Sequence, residues 1–122
     1  MSLSNDSTIV SLPHRGGGKR PDPPVAFHRT ELSAILNIYG RMVAAGEWKD
    51  YGITTGKDQA IFAIFRKAGE MPLYRIQKTP KLSRKQGAWS IIGMSGQILK
   101  RGHALDQILK VLEARALKLI EN

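Results

Sequence analysis

The sequence predicts an α+β fold, with an N-terminal helix, an antiparallel sheet of about four to five strands built from hairpins, and a C-terminal helix packed on the sheet. Three observations predict it. Apolar residues recur at helical spacing at both ends of residues 25–122, and short segments rich in β-branched and aromatic residues fill the middle. Gly, Pro or Asp separates these segments, as in consecutive hairpins. Helices that flank such a run of strands are typical of α+β domains.

The first 24 residues are rich in Ser, Gly and Pro and contain the run Arg15-Gly-Gly-Gly-Lys19. Because this segment has no periodic apolar face to bury, we expect residues 1–24 to form a disordered tail and residues 25–122 to form a single domain. A phosphate-binding loop would also need a second glycine, a hydroxyl residue and a strand-to-helix setting, which are missing. A basic arm that contacts RNA is the alternative to an inert tail.

The first helix follows a short extended segment predicted over residues 25–28. Thr30 is predicted as the N-cap, and Glu31 falls in the first turn, where a carboxylate is favourable. Gly46 ends the pattern, and Gly40 inside it indicates close packing by a neighbouring strand. The apolar residues at helical spacing are Leu32, Ile35, Leu36, Tyr39, Met42 and Val43.

Five strands are predicted between the helices, with Ser95-Gly96 as a two-residue turn before the last strand. They cover residues 48–54, 59–66, 73–78, 88–94 and 97–101. The last helix is predicted to run to about Ile120, with Asp106 capping its first turn. Its apolar stripe consists of Leu105, Ile108, Leu109, Leu112, Ala116 and Leu119.

The third predicted strand alternates, with Tyr74 and Ile76 on one face and Arg75 and Gln77 on the other. Since two helices on one face of the sheet would leave the other face free, this alternation predicts a polar, positive open face. The second strand predicts instead that this face is partly covered, because its outer residues are apolar. A second copy of the chain is the obvious candidate to cover them. The outer residues of that strand are Ile61, Ala63 and Phe65.

The net charge of +9 is concentrated in one stretch. Residues 66–101 contain nine basic residues and one acidic residue, which sum to +8, whereas residues 25–65 and 102–122 each sum to 0. From Met71 to Leu105 the chain has no acidic residue. A local charge of this kind attracts phosphate, anionic lipid or acidic protein. The residues predicted to bind an anion or nucleic acid are Arg75, Lys78, Lys81, Arg84, Lys85, Lys100 and Arg101.

Catalytic and metal-binding patterns are missing from the sequence. The chain has no Cys and three His, none of which has a partner at metal-ligand spacing. Gly93-Met94-Ser95-Gly96 resembles a nucleophile elbow, but Gln97 takes the place of the last glycine. We therefore expect no enzyme activity, no cofactor and no metal. An enzyme for a phosphorylated metabolite would require a pocket that joins His28 or His103 to the basic loop.

Composition also bounds the cellular setting. The longest apolar runs are far shorter than the roughly 20 residues of a membrane span. The N-terminus has no basic start followed by an apolar segment, as a secretory signal would. With no cysteine for disulfides, a reducing cytoplasm without membrane contact is the expected setting.

The basic stretch predicts a non-enzymatic module that binds RNA, DNA or another polyanion through a basic strand and loop. Tyr74 and Trp89 lie among the basic residues, where bases could stack on them. However, Tyr74 shares its face with Ile76 and Trp89 shares its face with Ile91, so core burial is favoured for both. The alternative function is a homodimeric or adaptor protein-interaction domain without nucleic-acid binding.

Five segments carry a family resemblance: Tyr39–Tyr51, Pro72–Arg75, Pro80–Leu82, Arg84–Gly87 and Leu99–His103. Together they resemble domain-of-unknown-function family 2794, over about residues 25–111. The resemblance implies an alphaproteobacterial, cytoplasmic protein with a single-domain layout. It transfers no activity, cofactor or catalytic residue.

Overall fold

The computed structural model describes residues 22–67 and 69–121, so residues 1–21 of the predicted tail lie outside the described residues. Within them, two α-helices flank an antiparallel sheet whose strands follow one another in the order β1-β2-β3-β4-β5. This architecture confirms the predicted fold. Neither described helix is long and apolar enough to cross a membrane. The elements are α1 (Arg29–Ala44), β1 (Asp50–Thr54), β2 (Ala60–Phe65), β3 (Tyr74–Lys78), the 3-10 helix η1 (Pro80–Leu82), β4 (Trp89–Gly93), β5 (Ile98–Gly102) and α2 (Leu105–Glu121).

The two faces of the sheet differ in what covers them. On one face, the register places Phe62 of β2 beside Ile76 of β3, and Ile76 beside Ile91 of β4. All three are fully buried against both helices, and we call this side the covered face. Each buried side chain of this size stabilises the fold by roughly 1.5–3 kcal/mol. The helices contribute Ile35, Ile38, Met42, Ile108, Leu109, Leu112 and Ala116 to this core.

The opposite side of the sheet, which we call the open face, carries no described helix. β4 nevertheless contributes Ser90 and Ile92 to it as buried residues. The register places Gln77 and Arg101 on either side of Ser90, and Arg75 next to Ile92. Both arginines are half-buried at these positions.

α1 has a different N-cap from the predicted one. The cap is His28, because the Glu31 side chain turns back and its Oε1 accepts a hydrogen bond from the His28 backbone N–H at 2.7 Å. The prediction of Thr30 as the cap is therefore wrong. At the other end, Gly46 has a φ of +80°, a conformation that glycine adopts with the least strain, as predicted.

Gly40 does not mark close packing. A β-carbon built on it has no heavy atom of the described residues within 4 Å, so no described strand approaches this side of α1. The side of α1 that packs on the core carries Ile35, Ile38 and Met42. The predicted contact at Gly40 is wrong, and the glycine only weakens the helix.

α2 begins at a turn that one of its own side chains closes. Gln107 Oε1 accepts hydrogen bonds from the backbone N–H of His103 at 3.1 Å and of Ala104 at 3.2 Å. Asp106 lies in the first turn, as predicted, but the capping hydrogen bonds expected from it come from Gln107. The junction between β5 and α2 is therefore a fixed corner.

Candidate anion-binding surface

One end of the sheet gathers three connections. Because neighbouring strands are antiparallel, the β1–β2 turn (residues 55–59), the β3–β4 loop (residues 79–88) and the β5–α2 junction (residues 103–104) lie at the same end. We call it the loop end. Five of the residues predicted to bind an anion lie at or beside it along the chain: Lys78, Lys81, Arg84, Lys85 and Arg101.

The β3–β4 loop has a defined shape of its own. It opens with η1, and a 2.7 Å hydrogen bond from Thr79 N–H to Ala88 O joins its ends. Inside the loop, Leu82 O accepts hydrogen bonds from the N–H of Lys85 at 2.9 Å and of Gly87 at 3.0 Å. Since several of its backbone N–H groups find partners within it, the loop presents its basic side chains from a formed scaffold.

The loop packs against the end of β5 through two contacts that the sequence did not reveal. Gly87 has a φ of +107°, and a β-carbon there would overlap the carbonyl oxygen of Gly102, so this approach requires glycine. Nδ1 of His103 lies 3.1 Å from the carbonyl oxygen of Ser83, to which its N–H can donate. An isolated histidine and a glycine before a strand carry too little signal to predict these contacts.

The docked loop brings the segment that carries Arg84 and Lys85 to the end of β5, where Arg101 is the second-last residue. Among the described residues, no carboxylate lies within 4.0 Å of any of these three side chains. Lys81 Nζ lies 3.5 Å from Asp58 Oδ1, and because both groups are exposed, this ion pair contributes only about 0–1 kcal/mol. Lys81, Arg84, Lys85 and Arg101 are referred to below as the basic end.

Lys78 does not belong to this surface, although the sequence grouped it with the others. Its side chain is buried on the covered face, where Nζ donates to Glu31 Oε1 at 2.8 Å and to Ala26 O at 2.9 Å. The same ammonium lies 5.8 Å from the centre of the Trp89 ring. Because its ammonium group is already paired with Glu31, we exclude Lys78 from the candidate site.

Arg75 and Lys100 lie apart from the basic end. Arg75 is half-buried on the open face, two residues further from the loop end than Gln77. In β5, Lys100 lies opposite Ile91, a residue of the covered face. Arg101 pairs with a residue of the open face, so the two consecutive cations of β5 diverge.

Trp89 is a core residue and Tyr74 is partly buried against the core, in agreement with the favoured prediction. Trp89 is buried and stacks with Phe27 at a ring distance of 6.2 Å. Tyr74 packs on the core and lies 6.2 Å from the ring of Trp48. Neither ring is presented beside the basic end for base stacking.

Glu31 has a perturbed pKa because of Lys78. Burial alone would raise the pKa of the carboxyl group. Hydrogen bonds from Lys78 and from the His28 backbone N–H, together with the charges of the Lys78 and His28 side chains, outweigh burial and hold the pKa below its ordinary value. The carboxylate is therefore a structural anion at neutral pH.

The described residues show little that could perform catalysis. They contain no group of three or more metal-ligating side chains. His103 touches the basic loop, but the partner of its Nδ1 is a backbone carbonyl, and no described carboxylate lies within 4.0 Å of its ring. His28 lies 3.7 Å from Glu31, a carboxylate that Lys78 already neutralises. Neither histidine has an acid–base partner of its own.

Comparison with known proteins places the chain in a family without assigning it an activity. Searches of curated proteins and of solved structures found no match. A family described as "Protein of unknown function (DUF2794)" matches residues 25–109, which is well over half of the chain and confirms the predicted resemblance. The matched range includes α1, all five strands and the basic end. The protein belongs to the DUF2794 family.

Proposed function

We propose that this protein is a non-enzymatic module that binds the phosphate backbone of RNA or DNA at its basic end. The observation that carries the proposal is the docking of the β3–β4 loop, which carries Arg84 and Lys85, against the end of β5 that holds Arg101, with no described carboxylate within 4.0 Å of the three side chains. Cations without local counterions gain the most from phosphate, because contact releases the counterions condensed on the nucleic acid.

The loop favours this function because it is ordered before any ligand arrives. Its internal hydrogen bonds and its contacts with β5 fix the backbone that carries the two exposed cations. Binding would then cost mainly the ordering of long side chains, about 0.5–1.5 kcal/mol for each. A preformed basic loop is therefore a better phosphate ligand than a flexible tail of equal charge.

Backbone contact is favoured over base recognition. Single-strand binding proteins that stack bases need exposed aromatic rings, and Tyr74 and Trp89 are committed to the core. Binding through phosphates alone carries little sequence preference. We expect affinities that depend on salt and length far more than on sequence.

The salt dependence of binding tests the proposal. If the four residues of the basic end each neutralise one phosphate, the slope of log affinity against log salt should be about −3 to −4. Fluorescence polarisation with short single- and double-stranded RNA and DNA, repeated at several salt concentrations, measures this slope.

A matched pair of variants locates the contact. Arg84→Ala with Lys85→Ala should flatten the slope by about 1.4–1.8, the contribution of two phosphates. Arg115→Ala with Lys118→Ala removes the same charge from exposed positions on α2 and should change the slope much less. Equal effects of the two double variants, or no measurable binding by the natural chain, would contradict the proposal.

A homodimer or adaptor domain without nucleic-acid binding is the second candidate. Ile61, Ala63 and Phe65 of β2 are half-buried on the open face, where no described helix packs on them. A protein partner would bury this apolar row and so gain hydrophobic free energy. Complex formation that Phe65→Asp abolishes, together with no binding to either nucleic acid, would favour this candidate.

A further inference from the structure

The two edges of the sheet are protected very differently. Both β1 and β5 have one side that no described strand pairs with. β5 carries a register shift together with Lys100 and Arg101, and bulges and charges of this kind hinder pairing with another chain. β1 pairs with β2 in unbroken register over all five residues and contains no lysine or arginine, and its one charged residue, Asp50, accepts a hydrogen bond from the Tyr51 backbone N–H at 2.8 Å, which a further strand would replace. The β1 edge is therefore open to a further strand.

Exposed apolar residues border the same edge. Tyr51 and Ile53 of β1 remain 41% and 44% exposed on the helix side of the sheet. On α1, Leu36 and Val43 are 37% and 41% exposed. Tyr39 lies between these two positions at helical spacing, and its ring centre is 4.9 Å from that of Tyr51, so the patch runs from the helix to the strand.

The charge distribution argues for a second copy of this chain as the occupant. Two copies with a net charge of +9 each repel one another. Residues 66–101 carry +8 of the net charge of each copy. Residues 25–65, which contain α1, β1 and β2, have four basic and four acidic residues and sum to 0. The β1 edge belongs to the neutral part of an otherwise basic molecule.

We propose that two copies of this protein pair their β1 strands antiparallel across a two-fold axis at Gly52. In this register Tyr51 faces Ile53 of the second copy, an aromatic and β-branched pair that stabilises sheets. Asp50 faces Thr54 of the second copy, so no like charges meet. The two sheets become one of ten strands, and Leu36 and Val43 of the two α1 helices come into contact. The proposal does not depend on nucleic-acid binding.

A single introduced cysteine tests the register, because the natural chain contains none. With Gly52→Cys, the two thiols would lie on the axis, with Cα atoms about 4.5–5.5 Å apart, within the range that a disulfide spans. A β-carbon at Gly52 meets no atom within 4 Å, so the side chain fits. Thr54→Cys is the control, since its two copies would be about 13 Å apart along the strands.

The expected result is rapid disulfide-linked dimer formation by Gly52→Cys under mild oxidation and little by Thr54→Cys, seen on non-reducing gels. Equal cross-linking of the two variants overturns the proposed register, and cross-linking of neither overturns the dimer.

Sedimentation of the chain without cysteine provides a second, independent measurement. The natural chain should sediment as a dimer at millimolar concentration, and strict monomers there overturn the proposal. Ile53→Lys places a charge on the β1 edge twice per dimer and should raise the dissociation constant at least about tenfold. Ile98→Lys makes the same change at the 53% exposed start of β5 and should leave association unchanged. If Ile98→Lys weakens association as much as Ile53→Lys, the β1 edge is not the interface.

Discussion

Lys78 and Glu31, 47 residues apart in the sequence, form a 2.8 Å hydrogen-bonded ion pair between the central strand and the first turn of α1. Each partner makes a second hydrogen bond, Lys78 Nζ to Ala26 O and Glu31 Oε1 from the His28 N–H. The pair therefore joins β3, the helix N-terminus and the segment before it.

Removing the ammonium should be costly. Lys78→Met keeps most of the side-chain volume but leaves the Glu31 carboxylate half-buried without its cation, so we expect a loss of about 2–4 kcal/mol in the free energy of unfolding. Urea denaturation measures the loss. Lys81→Met is the control, because its exposed pair with Asp58 should contribute less than about 1 kcal/mol. Similar losses in the free energy of unfolding for the two variants would show that the buried ion pair stabilises the fold no more than the exposed one.

The same pair predicts how stability depends on pH. The pKa of Glu31 is lower in the folded state than its ordinary value of 4.5, so the folded protein favours the carboxylate. This contribution is complete above the unfolded pKa and is lost as pH falls through the folded pKa. The difference in melting temperature between the natural chain and Glu31→Gln should therefore be constant near neutral pH and shrink below about 4.5. A difference that stays constant down to pH 3 would exclude this contribution.

Gly40→Ala should stabilise the protein. The residue is exposed in the middle of α1, and a β-carbon there meets no atom within 4 Å. Alanine has the higher helix propensity and reduces the entropy of the unfolded chain, so a gain of about 0.5–1 kcal/mol is expected. Thermal melting followed by circular dichroism measures it. A loss of stability would indicate a neighbour on this face of the helix.

Gly87→Ala should weaken both the fold and anion binding. The new β-carbon would overlap the Gly102 carbonyl oxygen at a backbone φ that disfavours alanine, and we expect a loss of roughly 2–4 kcal/mol. Gly96→Ala separates the two causes, since Gly96 has a φ of +89° with open space around it and should cost only about 1 kcal/mol. Calorimetry measures stability, and polarisation at a temperature where both variants are folded measures affinity. Equal losses would show that the approach to Gly102 is unimportant.

The arrangement of helices and strands could be predicted because its signals are local. The apolar stripe of α2 and the turn at Ser95-Gly96 each lie within a few residues of the structure that they specify. The predicted N-cap of α1 was wrong because it relied on the preference of Thr for cap positions. In the structure, the Glu31 side chain accepts a hydrogen bond from the His28 backbone N–H, which makes His28 the N-cap.

The candidate site was only partly predictable, because charge pairing is not local. Residues 71–105 contain no acidic residue, but the fold brings acidic side chains from elsewhere to two of their lysines. Glu31 pairs with Lys78, and Asp58 lies beside Lys81. Grouping by sequence also ignored strand alternation, which points Lys100 and Arg101 to opposite faces of the sheet. Composition located the basic surface, and the tertiary contacts decide which of its cations remain for a ligand.

The His103 contact has a consequence for hydrogen exchange. The histidine whose ring meets the basic loop at Ser83 also gives its backbone N–H to Gln107 in the first turn of α2. An anion that immobilises the loop would therefore restrain opening of that turn as well. Amide protons near the start of α2 would exchange more slowly in the complex although no ligand touches them, so the final helix would report occupancy of the loop.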